Sequence, residues 1–478
     1  MNKPLRTQKS VLLILTLWMG MFLLYSAQAQ VDTTKKQTEF SEEFSVSDDV
    51  QSIASYTLED CIKYAFRYSE TLKLKDIDVR IAHEEVGENL ARGLPKIDAE
   101  ASYQDNFKIQ RSFVPAVLFD PAAEPGVFVP VQFQPKFNAS ASVTLSQLIF
   151  DFSYLLGLKA ARAYEDLTRR QADLSKVDIA EQVSKAFYAV LIARERLELL
   201  DQNYARLDTL YRETQALFEN GFSEQIDVMR IEVSRNNLSS EREKAYSAAI
   251  LTEQVLKFQM GMPLSDSLII RGSLEDIDLN LYALEKQPVD YTKRMEYEIL
   301  NRQAELRALN LRYNKALYYP RLEGYVSYGS NTATGIFGDV WRFNERWFGY
   351  GNYGLRLVVP IMDGFKRKHT FQKLRLQMEQ VQLQQAQFKR GADIDYEQAY
   401  NQLASSLNDL QNQKRNMELA KEVSRVSKVK YQNGVGANLE IIDAETSFKE
   451  AETNYYAAYY QAIISKIDLE KALGTLLD

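Results

Sequence analysis

The sequence predicts a mainly α-helical protein with a smaller β-barrel portion, written as two tandem repeats of one unit. Three observations predict it. Runs of helix-forming residues extend well past the length of an ordinary globular helix, with apolar residues recurring in steps of three and four. Other segments alternate between apolar and polar residues, the pattern of a two-faced strand. Finally, LFENGFSEQIDVMRIEV (217–233) is answered by KYQNGVGANLEIIDAET (430–446), with Gly221 and Gly434 213 positions apart.

The chain opens on Lys3, Arg6 and Lys9, then the apolar run VLLILTLWMGMFLLY (11–25) and Ala27-Gln28-Ala29. This is the order of a secretory signal (1–29) cut after Ala29, and fifteen apolar residues are few for a span that needs about 20. Residues 30–56 are polar, acidic and aperiodic, a flexible leader. Cys61 is the only cysteine, so stability must come from packing, and a small buried helix residue is expected there.

Beyond the leader the same elements appear twice. Repeat 1 (57–261) and repeat 2 (289–478) each begin with a helical stretch, 57–93 and 289–319. Each stretch ends at a proline followed by a basic and an apolar residue, LPKI (94–97) and YPRL (319–322). Two strands follow, about 97–110 and 137–146 in the first copy and about 321–330 and 353–361 in the second. Each pair closes on an aspartate, in LSQLIFDF (145–152) and LVVPIMDGF (357–365). The offset between copies falls from 225 at the prolines to 212 at the aspartates, so the first pair carries a 13-residue insertion. A long helix, about 152–218 or 364–431, then reaches Asn220-Gly221 or Asn433-Gly434. There Gly can take the left-handed conformation that caps the last carbonyls. A return helix runs to Gly261 or Gly474, and residues 262–288, with Pro263 and Pro288, form a linker.

The strands carry the membrane argument. Phe137, Ala139, Ala141, Val143 and Leu145 alternate with Asn138, Ser140, Ser142, Thr144 and Ser146, and 97–109 alternates except at Asp105. Such lengths, with one apolar and one polar face, fit a bilayer-spanning barrel with a wet interior. Prolines and apolar residues in 111–136, and Trp341, Trp347, Phe348 and Tyr350 in 331–352, suit aromatic girdles. A soluble amphipathic sheet is the competing reading. In lipid an open sheet edge has no partners, and four strands cannot close a barrel whose smallest natural form has about eight. Two copies would give an eight-stranded barrel filled by side chains, and three a twelve-stranded one with room for water. A trimeric pore follows.

In the helix, Val190, Ala193, Leu197, Leu200, Tyr204, Leu207, Tyr211, Thr214 and Phe218 form a coiled-coil seam. About 67 residues span about 100 Å, the scale of a bacterial periplasm. The net charge of −7, without a basic aromatic-interleaved stretch, argues against nucleic-acid binding.

Catalytic, cofactor and metal sites are not expected. His83 and His369 stand alone, and no zincin, C-x-x-C, nucleophile-elbow or Walker pattern occurs. GYGNYG (349–354) satisfies G-x-G-x-x-G but opens a strand rather than a helix, so it reads as a barrel turn. Two functions compete, an export channel and a barrel-anchored coiled-coil structural or adhesive protein. Strand pairs duplicated within each chain favour the channel. A periplasmic adaptor would need a single helical hairpin between β-rich halves.

With TLEDCIKYAFRYS (57–69), the LP-K/R strands, LIFDF/PIMDGF and the duplicated Asn-Gly turns in this order, the chain resembles the TolC-like outer-membrane efflux proteins over 57–477. The resemblance implies a homotrimer in outer-membrane lipid. Its twelve-stranded barrel, four strands per protomer, would continue as a periplasmic helical coiled-coil barrel, with an equatorial belt near 262–288 and the C-terminus. It implies a passive duct for efflux or type I secretion, opened by a periplasmic adaptor (membrane fusion) protein and an inner-membrane pump of RND, ABC or related type. The turns at Asn220, Gly221, Asn433, Gly434 and Gly436 would be the tips that meet the adaptor. Asp227 and Tyr431 match a closing pair, and Glu440 and Asp443 match acids projecting into the entrance. At Gly436 the family's better-studied members carry an arginine in the lock, so closure here must differ. The three acids also suit helix starts, where the dipole favours negative charge.

Overall fold

The computed structural model describes residues 55–274, 279, 286, 288–433 and 435–477. The cleavage site after Ala29, nearly all of the leader, much of the linker and Gly434 lie outside them. A small unit contains Tyr56 and Ile269–Arg271, joined by a parallel bridge in which Tyr56 N–H donates to Ile269 O (2.7 Å) and Arg271 N–H donates to Tyr56 O (2.8 Å). The large unit, Thr57–Leu268 and Gly272 onward, carries the helices and the sheet.

Its elements run α1 (Leu58–Tyr68), α2 (Glu70–Ala91), β1 (Lys96–Asp105), β2 (Ser112–Pro115), β3 (Phe128–Val131), β4 (Phe137–Phe150), α3 (Phe152–Glu219), α4 (Gln225–Met260), α5 (Met295–Ala316), β5 (Arg321–Thr334), β6 (Phe348–Val358), α6 (Lys366–Gln432) and α7 (Asn438–Leu473). The fold is mainly α-helical with a small sheet. The first helical stretch is two helices, because Thr57 and Asp60 form a capping box at the start of α1 and Ser69 leaves the helical region at its end. Cys61 is fully buried in α1, and burial pushes its thiol up to about 12.

Both repeats place two shorter helices beside one long one. α3 packs against α2 and α4, while α6 packs against α5 and α7. The long helices have 68 and 67 residues, about 100 Å each. The return helices stop on left-handed glycines, Gly261 (φ 70°) and Gly474 (φ 75°). A Cβ there would lie 2.7 Å from Tyr68 O or Lys293 O, so each glycine also admits the chain leading into the next shorter helix.

β1, β4, β5 and β6 form one antiparallel sheet in that order, and β2 and β3 form a separate hairpin between β1 and β4. The registers bring the alternations into phase. One face carries Ile97, Ala99, Ala101 and Tyr103, Phe137 to Leu145 at odd positions, Leu322, Val326 and Tyr328, and Tyr353, Leu355 and Leu357. The opposite face carries Asp98, Glu100, Ser102 and Gln104, Asn138 to Ser146 at even positions, Glu323, Tyr325, Ser327 and Asn331, and Tyr350, Asn352 and Arg356. Ser102 and Ser140 are hydrogen-bonded (2.7 Å), as are Thr144 and Ser327 (2.9 Å). The apolar face is largely exposed, and among the described residues the outer edges of β1 and β6 have no partner strand. At the end away from the helices, Val340 and Trp347 of the β5–β6 loop cover Phe137 and Ala139.

GYGNYG is not a turn. β6 begins at Phe348, and the glycines lie inside it because tyrosine rings from β5 occupy the space of their missing side chains. A Cβ on Gly354 would lie 2.8 Å from the Tyr325 hydroxyl, and one on Gly351 would lie 3.3 Å from the Tyr328 ring. The reverse holds at Gly329, where a Cβ would lie 2.8 Å from the Tyr350 ring and from Ala141 O.

Strand-end aspartates organise both passages into the long helices. Asp151 Oδ1 accepts from Ser153 N–H (2.8 Å) and Tyr154 N–H (3.3 Å). Asp363 Oδ2 accepts from Arg367 N–H (3.0 Å) and Nε (2.7 Å).

Backbone at Ala141 cannot yield to a new methyl group. Gly329→Ala is therefore expected to destabilise the sheet by about 1–3 kcal/mol, whereas Gly335→Ala, with nothing within 4 Å, should be neutral. Thermal unfolding of the detergent-purified protein compares the two.

Candidate functional site

The ends of the long helices are built from the same local chemistry. At the end of α3, Asn220 N–H and Nδ2 both donate to Ala216 O (3.2 and 2.7 Å). Gly221 takes φ 79°, its N–H donates to Phe218 O (2.9 Å), and Phe222 N–H reaches back to Leu217 O (2.8 Å). These two backbone bonds are the Schellman closure, which requires a left-handed residue and satisfies carbonyls the helix leaves open. At the end of α6, Asn433 N–H and Nδ2 donate to Val429 O (3.2 and 2.8 Å), and Val435 N–H donates to Lys430 O (3.0 Å). Gly436 presses on that helix end. A Cβ there would lie 3.1 Å from Lys430 Cβ and from Tyr431 N.

The two turns meet over a small apolar cluster. Leu210, Ile231 and Ile441, from α3, α4 and α7, are buried, and Leu207, Tyr211, Tyr431 and Ile442 pack against them. The Tyr431 hydroxyl lies 3.5 Å from that of the fully buried Thr214, at the limit of a hydrogen bond. The Asp227 carboxylate accepts instead from Ser223 Oγ (3.2 Å). Within one protomer, then, Asp227 and Tyr431 sit at the same end of the hairpins without bonding to each other. Glu440 and Asp443 are exposed, one helical turn apart near the start of α7, and neither carboxylate has an ion pair or hydrogen bond among the described residues.

Sequence reasoning missed a contact here. Asn438, 5% exposed, donates from Nδ2 to the main-chain carbonyl of Asp227 (3.2 Å), across from one hairpin to the other. Its Oδ1 is buried without a donor. An asparagine at a helix start ordinarily reads as a local cap, and nothing in the sequence signals a partner 211 positions away.

Farther from the turns the seam between α3 and α7 becomes polar. Asn203 donates to Glu452 (3.1 Å), Arg206 donates to Asn203 and pairs with Glu445 (3.7 Å), and Ser424 donates to Glu445 (2.6 Å). Beyond it, Lys185 bridges Glu181 (2.7 Å) and Asp468 (2.6 Å), and Lys471 bridges Asp178 (2.9 Å) and Glu181 (2.6 Å). Burial pushes Glu181 upward, but its bonds to both lysines outweigh it and hold the carboxyl below its ordinary value. Glu452 goes the other way. Burial raises it above the ordinary 4.5, Asn203 and Arg206 offset only part, and Glu445 adds to the rise, against Lys421.

That shift has a pH signature. Glu452 binds its proton more tightly in the folded chain, so its contribution to stability is fully present below the unfolded value near 4.5 and is lost as pH rises through the folded value. Glu452→Gln should therefore raise the melting temperature at pH 7 and lose that advantage at pH 4. Parallel melts at the two pH values check it.

No group of three or more His, Cys, Asp or Glu side chains among the described residues is arranged to hold a metal ion. What the site offers is mechanical, two helical hairpins whose turns are joined by few contacts. Comparison with known proteins agrees in kind. The profile of the outer membrane efflux protein family matches residues 69–249 and 298–475, one segment in each repeat. The alkaline protease secretion protein AprF of Pseudomonas aeruginosa is 20% identical over 354 residues, covering 69% of this chain and 71% of that protein. Among solved structures, the open state of the Neisseria gonorrhoeae MtrE outer membrane channel matches with a TM-score of 0.66 at 17% identity, over 88% of this chain and 89% of that one. CusC matches at 0.67 and 14% identity over 88% and 92%, and the Vibrio cholerae outer membrane protein VceC at 0.64 and 14% over 87% and 96%. With two long segments covering most of the chain matched by one family's profile, the chain belongs to the outer membrane efflux proteins, non-catalytic channel proteins of the outer membrane with a periplasmic extension.

Proposed function

We propose that three copies close a twelve-stranded barrel, four strands each, continued through the periplasm by a coiled-coil barrel of the long helices. The assembly is a passive exit duct of a tripartite efflux or type I secretion system. An adaptor and an inner-membrane transporter of RND, ABC or related type open it at the helical turns. The observation that carries this reading is the incompleteness of the protomer. Among the described residues its sheet has an exposed apolar face and two unpaired edges, which lipid cannot satisfy.

The helices support the same assembly. Of the eight exposed large apolar residues on α4, six (Ile226, Met229, Val233, Leu251, Val255 and Phe258) fall at 100° per residue within a face about 80° wide, with Tyr246 and Ile250 outside it. On α6, six of the seven exposed large apolar residues (Leu376, Leu383, Ile394, Leu419, Val423 and Val426) lie within a face about 60° wide, with Val429 outside it. α3 and α7 join the two hairpins, which leaves α4 and α6 as the outer helices of the set. Two different stripes on opposite borders fit a heterologous, head-to-tail interface, which closes as a ring. In that ring the polar sheet face lines a wet lumen and the aromatic β5–β6 loop sits at the membrane boundary.

At the turns, Asp227 and Tyr431 would help to close the entrance, across neighbouring protomers if not within one. Glu440 and Asp443 would place free carboxylates around it. The turns from Asn220 to Phe222 and from Asn433 to Gly436 would receive the adaptor. The signal segment ending at Ala29, the leader, the two repeats and the 262–288 belt complete the proposed organisation.

Native mass spectrometry of the purified protein should give a trimer, and Leu383→Glu in the α6 stripe should reduce it to monomer with helical content retained. A stable monomer of the parent chain would refute the ring. In planar bilayers, Tyr431→Phe combined with Asp227→Ala should raise resting conductance. Unchanged conductance would remove this pair from the gate.

A further inference from the structure

We infer that Asn438 is the latch that holds the two helical turns of each protomer together. The inference rests on the gate reading above and names a residue that acts in it.

Position 436 cannot supply a lock. It has no side chain, and the room a Cβ would need lies against Lys430 Cβ and the Tyr431 main chain. Two residues on, Asn438 opens α7 almost wholly buried, and its amide crosses to the first turn of α4. Among the described residues this is the only hydrogen bond between segments 217–230 and 430–443. The remaining ties in this region are the Leu210–Ile231–Ile441 cluster and the long Thr214–Tyr431 contact. Separating the hairpins at their tips must therefore break the Asn438 bond.

Two details fit a latch rather than a fixed strut. The acceptor is the main-chain carbonyl of Asp227, so the bond does not depend on that residue's carboxylate. The other amide atom, Oδ1, is buried with no donor, so the closed arrangement leaves one polar atom unsatisfied that opening would return to water. The amide orientation is fixed by the contact itself, because a carbonyl oxygen turned toward Asp227 O could not donate.

Two variants of the full-length trimer test this. Asn438→Leu removes donor and orphan acceptor together. It should raise resting conductance several-fold at any pH, increase hydrogen exchange in segments 214–232 and 425–445, and leave the melting temperature of the trimer unchanged. In Asn438→Asp the ionised carboxylate faces a carbonyl and cannot donate, whereas its protonated form can. Conductance should be raised at pH 7 and return to the parental level near pH 3, well into protonation of an ordinary aspartate at about 3.9. A parent trimer recorded at the same two pH values corrects for the other acids.

Unchanged tip exchange in Asn438→Leu would overturn the latch. So would a conductance rise in both variants that tracks a lowered melting temperature and shows no recovery at low pH, since that is the signature of packing. Loosened tips in a trimer that carries no current would leave the latch standing and refute the gate reading instead.

Discussion

A sheet with two open edges is the constraint on which the rest of this protein depends. Backbone N–H and C=O groups at an edge are satisfied by water on a soluble protein, but in hydrocarbon they must find another strand. The β1-β4-β5-β6 sheet offers one edge at β1 and another at β6, and its apolar face would be a liability in water. Among the described residues neither edge finds a partner strand. The helices follow the sheet closely, for β4 passes through Asp151 straight into α3, and β6 reaches α6 through a short segment that contains Asp363.

The seam between the two helical hairpins is graded. Near the middle of the long helices, lysines and acids from α3 and α7 interlock, with Glu181 shared between Lys185 and Lys471. Toward the turns the seam passes through Glu452, whose charge is poorly housed, and the Arg206–Glu445 pair, and then reaches three buried apolar side chains, the long Thr214–Tyr431 contact and the Asn438 amide bond. Cohesion between the hairpins thus falls along their length. Parts drawn from the weakly held end of a structure are the ones that open locally while the rest stays folded.

Much of the fold was legible because its rules are local. The alternation from Phe137 to Leu145 is one face of β4, and the Asn-Gly pairs end the helices with the same side-chain bonds, to Ala216 and to Val429. β6 was harder to read. Glycines at 349, 351 and 354 erase the alternation that marks a strand, because the residues filling those places are tyrosines of another strand. The β2–β3 hairpin was not foreseen, since Pro115 and Pro130 argue against strands except at edges, which is where a two-stranded ribbon puts them. Nor was Asn438, whose role depends on the approach of two segments remote in sequence. Asp227 was singled out only through the family resemblance, which paired it with Tyr431, and the Ser223 hydroxyl that its carboxylate accepts from within the protomer had no signal in the sequence.

The tyrosines laid over glycines have a consequence for transport. On the polar face Tyr325 lies against Gly354 and Tyr350 against Gly329. In a closed barrel each ring would cover its neighbour's bare backbone while lying along the wall. An upright aromatic would narrow the bore and offer a ledge on which solutes could dwell. In the proposed barrel, rings lying along the wall would keep the cross-section wide and the surface even, so a passing molecule would meet little friction and few places to bind.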